Sequence, residues 1–122
     1  MNLQMNWITL RVRDLEASLA FYHGILGLTV ERRFESRGRR IAMLGSPGQP
    51  KLELIETGSE AALRPGSGIS IGFETESLEG AMERLNGCGV PVSRGPIAPR
   101  PDLRFFYVLD PDGFEVQLAH HG

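Results

Sequence analysis

The order strand–helix–three strands occurs twice in this chain, over residues 5–57 and again over residues 67–119. No other feature narrows the fold as far. A four-stranded sheet has two faces, and one helix covers only one of them. The bare face of each sheet must curve around something or pack on another sheet. Two half-open sheets side by side make a cup. The expected fold is therefore α+β: two βαβββ modules forming a curved mixed sheet around a cup-shaped cavity, with the helices on the outer face. A chain of 122 residues fits a single domain, here two modules joined by the loop "GSEAALRPG" at 58–66. The two copies share an order of elements, with little identity of sequence between them.

Local signals mark each element. Residues 6–12 alternate at period two and read as a strand. Asp14 sits at a helix N-cap before "LEASLAFYHGIL", with Gly24 and Gly27 as stops. Strands follow over 28–36, 39–46 and 51–57, the first two joined by an Arg37-Gly38 turn and the next by "PGQP" at 47–50. In the second copy, "SGISIGFET" (67–75) reads as a strand. A helix capped by Ser77 follows and is stopped by Gly87 and Gly89. Strands at 90–97, 102–110 and 114–120 complete the set, with "DPDG" (110–113) as the last hairpin turn.

The apolar side of each strand sets its phase. Ile8, Leu10 and Val12 should pack under the first helix, which puts Trp7, Thr9 and Arg11 into the cup. Leu52 and Leu54 go to the helix, leaving Lys51, Glu53 and Ile55 in the cup. Ile69, Ile71 and Phe73 read as core, with Gly68, Ser70 and Gly72 facing in. Phe114, Val116 and Leu118 read as core, with Glu115, Gln117 and Ala119 facing in. "LRFFYVL" is apolar on both faces, so alternation alone leaves it unphased. A slip of one residue would invert any of these assignments.

Composition excludes several classes. Hydrophobic residues are 41% of the chain, charged residues 23%, and the net charge is −2. That balance gives no field for nucleic acid or an anionic membrane. No segment approaches the roughly 18 apolar residues of a membrane helix. The N-terminus lacks a signal pattern, and one cysteine, Cys88, cannot form an internal disulfide, so a cytoplasmic protein is expected. Cys88 reads as a packed thiol, His23 as exposed or capping, and His120 and His121 as part of a frayed terminus. The hairpin "ERRFESRGRR" (31–40) reads as solvated. "RGPIAPRPDLR" (94–104) reads as a loop over the cup.

Four strings, "LRVRDLEASLAFYHGILGL" (10–28), "LELIE" (52–56), "GISIGFET" with "LEGAMERLNGCGV", and "FFYVLDPDGFEVQL" (105–118), carry a resemblance over nearly the whole chain. The sequence resembles the vicinal oxygen chelate superfamily, also called the glyoxalase/bleomycin-resistance/extradiol-dioxygenase fold. The resemblance implies a single glyoxalase/bleomycin-resistance-like domain that pairs as a homodimer. Metal enzymes of that family hold one divalent ion in the cup through four His and Glu positions. Carried onto this sequence, those positions fall on Trp7, Glu53, Gly68 and Gln117. Only Glu53 keeps a ligating side chain. An indole N–H is only a donor, glycine has no side chain, and a glutamine amide is a poor ligand. No metal and no other cofactor is expected. The same resemblance places Phe105 and Tyr107 on the cup face.

The expected function is a metal-free small-molecule-binding protein of the glyoxalase/bleomycin-resistance type. It would sequester an aromatic or amphipathic ligand among Trp7, Thr9, Arg11, Glu53, Ser70, Phe105, Tyr107 and Gln117. Trp7 would serve as a stacking platform or as a plug in the vacated metal space. Glu53 would be a counter-charge, a candidate base, or a structural partner of Arg11 or Gln117. Two alternatives stay open. One is a glyoxalase- or dioxygenase-like lyase or isomerase with Glu53 as base or remnant ligand. The other is a non-catalytic, dimerising accessory domain.

Overall fold

The computed structural model describes residues 1–58 and 64–122. Residues 59–63, the interior of the expected connection 58–66, lie outside the described residues. The chain divides into two compact units, Met1–Arg64 and Pro65–Gly122. Each unit contains one four-stranded mixed sheet, and the two sheets have the same topology.

In the first unit the elements are β1 (Trp7–Val12), α1 (Leu15–Leu19) continued by a π-helical segment (Ala20–Ile25), β2 (Val30–Ser36), β3 (Arg39–Leu44) and β4 (Lys51–Glu56). The sheet order is β1-β4-β3-β2, with β1 parallel to β4 and the other pairs antiparallel. In the second unit β5 (Ile71–Glu74), α2 (Leu78–Gly87), β6 (Arg94–Arg100), β7 (Leu103–Leu109) and β8 (Glu115–His121) give the order β5-β8-β7-β6. Here β5 is parallel to β8 and the rest antiparallel. The repeat inferred from element order is thus present strand for strand, and the fold class is α+β.

One face of each sheet is buried under its helix. Leu10, Val12, Leu52 and Leu54 are buried where α1 packs on β3 and β4. Val116, Leu118, Phe106 and Val108 are buried in the second sheet, where α2 packs on β8 with Leu78 and Leu85. Ile8, near the start of the edge strand β1, stays 40% exposed despite its apolar phase.

The N-terminus of α1 is fully bonded. Asp14 accepts from the Glu16 and Ala17 N–H groups, and its carbonyl accepts from Ser18. The fourth N–H, that of Leu15, goes to the Glu56 carboxylate. Free helix N–H groups are the main weakness of a short helix. Asp14→Ala should therefore cost about 1 kcal/mol in urea unfolding.

The sequence reading needs correcting in several places. The expected helix 15–26 is α-helical only to Leu19. Beyond it, the Leu26 N–H reaches back five residues to the Phe21 carbonyl, and both Phe21 and Tyr22 are buried in an edge-to-face contact. Gly24 lies inside that wide turn, while Gly27, at φ +80, ends it. The strand expected over 67–75 begins only at Ile71. Gly68 has φ +85, a left-handed conformation that breaks the extended run, and so Ile69 is 73% exposed instead of core. Phe73 and Phe114 are half-buried.

Residues 94–100, expected partly as loop, form an edge strand. It pairs with β7 only at Arg94, Ile97 and Arg100, because Pro96 and Pro99 have no N–H to give. Cys88 is exposed, since it follows the last turn of α2. His120 and His121 are not frayed. They belong to β8, where the His120 ring bonds the Thr75 carbonyl and the His121 backbone N–H and ring both bond Glu74.

Candidate functional site

The helix-free face of the first sheet carries Trp7, Thr9 and Arg11 on β1. The parallel register sets Thr9 beside Glu53, and the Thr9 hydroxyl donates to Glu53 Oε1 at 2.6 Å. Met43 is the antiparallel neighbour of Glu53 on the other side and is buried. The partner of Glu53 is therefore neither Arg11 nor Gln117, the two considered from sequence, but Thr9. Trp7 stands 51% exposed at the head of this face, so its indole is not a buried plug within the chain. Arg11 is exposed.

In the second sheet the corresponding face is built around Tyr107. The antiparallel register sets Tyr107 opposite Gln117, and the Gln117 amide donates to the Tyr107 hydroxyl at 3.0 Å. Phe105, two residues along β7, meets Tyr107 edge-to-face with centroids 5.8 Å apart. Gly72, paired with Gln117 on β5, leaves room for that amide: a Cβ there would stand 3.0 Å from the Gln117 oxygen. Of the eight residues singled out from sequence, Thr9 meets Glu53, and Tyr107 meets both Phe105 and Gln117. Ser70 sits apart from that trio, in a cleft of about 560 Å³ that Gly68 also lines.

Two residues of this face were overlooked as site residues. The Arg94 guanidinium lies 3.8 Å over the Tyr107 ring, and its Nη2 donates to Glu115 at 2.8 Å. Both also line the cleft. The alternation of β8 already placed Glu115 on the inward face. Arg94 was missed because it lies where the expected strand 90–97 overlaps the expected loop 94–104, and no phase was assigned to it. The next residue, Gly95, lets the two strands come close: a Cβ there would press to 3.2 Å from the β7 backbone at Phe105 and Phe106. With φ +96 as well, only glycine lets β6 approach so closely there.

Residues 4–118 match the family model of the Glyoxalase/Bleomycin resistance protein/Dioxygenase superfamily. The chain belongs to this superfamily. A lactoylglutathione lyase of Salmonella typhimurium is 30% identical over 117 residues, covering 89% of this chain and 86% of that protein. Among solved structures, the trypanothione-dependent glyoxalase I of Leishmania major superposes with a TM-score of 0.84 at 22% identity, covering 98% of this chain and 87% of the other. An antibiotic binding protein from Streptomyces sp. CB03234 superposes with a TM-score of 0.76 at 22% identity, covering 99% and 98%. These likenesses confirm the fold.

The superfamily's metal does not fit the residues present. Trp7 offers only an N–H donor, and Gly68 offers nothing. The Gln117 amide is engaged by Tyr107, and Glu53, the one carboxylate, is bonded to Thr9. Among the described residues, no three His, Cys, Asp or Glu side chains gather to hold an ion elsewhere. No helix of the described residues is long and apolar enough to cross a membrane.

Proposed function

We propose that this chain is a metal-independent binding protein of its superfamily, holding a small aromatic or amphipathic molecule. The supporting observation is the replacement of three of the four metal-ligand positions by Trp7, Gly68 and Gln117, with Trp7 left exposed beside a Thr9–Glu53 pair. An exposed indole on a polar face is a stacking surface for a flat ring. Thr9, Arg11 and Glu53 lie with Trp7 on the first sheet, Phe105, Tyr107 and Gln117 lie on the second, and Ser70 just precedes β5; each set is of the aromatic-plus-few-polar kind that small-molecule sites use. This reading takes the protein to be a cytoplasmic homodimer that binds no nucleic acid.

A lyase or isomerase with Glu53 as its base is the second reading. It is favoured by the 30% identity to a lactoylglutathione lyase and by the one retained carboxylate. One set of measurements separates the two. Trp7 fluorescence is titrated with a panel of planar compounds, alongside metal analysis and an assay for lactoylglutathione lyase activity. The binding reading expects saturable quenching without bound metal, lost in folded Trp7→Ala. Stoichiometric metal dependent on Glu53, or lyase turnover abolished by Glu53→Gln, would overturn it.

A further inference from the structure

We infer that the cleft beside Gly68 receives an anionic group, a carboxylate or a phosphoryl, and that Arg94 is the residue that reads it. This rests on the binding reading above and names the chemistry of one part of its ligand. The cleft lies wholly within the second unit and is lined by Gly66, Ser67, Gly68, Ser70, Arg94 and Glu115, among others. The space beside Gly68 is open: a Cβ there would find nothing within 4 Å. The backbone N–H groups of Gly66, Ser67 and Gly68 and the hydroxyls of Ser67 and Ser70 have no hydrogen-bond partner among the described residues. A short glycine-rich run lined with N–H groups and hydroxyls that no described residue engages is a donor-rich wall, the kind that receives oxyanions.

Arg94 faces the same space and is pre-oriented. Tyr107 supports the flat of the guanidinium at 3.8 Å, and Glu115 holds a single nitrogen, Nη2. A guanidinium has five N–H donors, so most of the fork remains for a ligand. Glu115 fixes the direction of the arginine and also neutralises it, which tempers affinity for anions. That dual role separates recognition from mere structural pairing. If Arg94 and Glu115 only brace the sheet, removing either charge harms the protein equally. If Arg94 reads an anion, removing the Glu115 charge strengthens binding.

The test is a ¹⁵N NMR titration of the full chain with benzoate, phenyl phosphate and the neutral benzamide, with Trp7 fluorescence recorded on the same samples. Shifts confined to residues 66–70 and Arg94 are expected with the two anions and absent with benzamide. Which anion binds tighter tells carboxylate from phosphoryl. Arg94→Gln should weaken anion binding about tenfold or more, the loss of a charged hydrogen bond, and Arg94→Lys should restore part of it. Glu115→Gln should tighten binding about threefold, by removing a competing charge. Equal shifts with benzamide, no shifts at 66–70, or weaker binding in Glu115→Gln would each overturn the inference. Quenching of Trp7 without shifts at 66–70 would sink this cleft and spare the binding reading. Shifts at 66–70 without Trp7 quenching would do the reverse.

Discussion

Phe106→Ala should lose about 3–5 kcal/mol of unfolding free energy, whereas Phe105→Ala, one residue away, should lose about 1–2 kcal/mol. The two rings are adjacent in sequence and point to opposite faces of β7. Phe106 is fully buried on the helix-covered face, beside Val108 and its cross-strand neighbour Leu118. Deleting that ring leaves a void that a close-packed interior relaxes into only partly. Phe105 is half-buried on the helix-free face and has Tyr107 as its ring partner. Its removal costs the edge-to-face contact and some apolar area. Urea unfolding of both variants is the check. A larger loss from Phe105→Ala than from Phe106→Ala would mean that β7 is phased the other way and that the aromatic face around Tyr107 is wrongly assigned. If Phe106→Ala does not fold, Phe106→Leu gives the same comparison at smaller amplitude.

That pair also marks how far the sequence alone carries. Alternation phased β1, β4 and β8 correctly, because each has one apolar and one polar face: Leu10 and Val12 are buried while Thr9 and Arg11 are exposed. It left β7 unphased, because its residues are apolar on both sides, and only family likeness chose Phe105 and Tyr107. At β5 it held only from Ile71 on, which is buried as expected. The run "GISIGF" alternates on paper, but a left-handed Gly68 breaks the strand and exposes Ile69. Backbone conformations with positive φ leave no trace in hydrophobic period, only in the presence of glycine. The same holds for Arg94. Three prolines made 94–104 look like a loop although 90–97 read as a strand, and nothing local announces that residues 94–100 pair with β7 as an edge strand. Which polar group bonds which was the least legible layer of all. Thr9 with Glu53 and Gln117 with Tyr107 follow from strand register, and register is a property of two strands together.

The second large effect is expected at Glu56, on the helix-covered side of the first sheet. Its carboxylate accepts from Arg40 Nε at 3.0 Å, from Arg40 Nη2 at 2.7 Å and from the Leu15 N–H at 2.8 Å. One side chain thus ties β4 to β3 and closes the N-terminus of α1. Glu56→Ala should cost about 2–3 kcal/mol, the range for losing charged hydrogen bonds while leaving a half-buried donor without a partner. Glu56→Gln should cost less, since an amide oxygen still accepts from Leu15. The hydrogen bonds from Arg40, and after them the one from Leu15, hold the Glu56 carboxyl below its ordinary 4.5. A carboxyl lowered in this way stabilises the fold above its unfolded pKa, and the contribution is lost as pH falls through the folded value. The gap between wild type and Glu56→Ala should therefore be full at neutral pH and shrink below pH 4.5. Glu16, lowered chiefly by its hydrogen bond from Arg33, titrates in the same direction beside Arg40, but it is exposed and remains present in both proteins. Unfolding measured in urea from neutral pH down to about pH 3 would decide the matter. A gap that holds constant across that range would mean that Glu56 acts through packing alone and that its charge contributes nothing to closing α1.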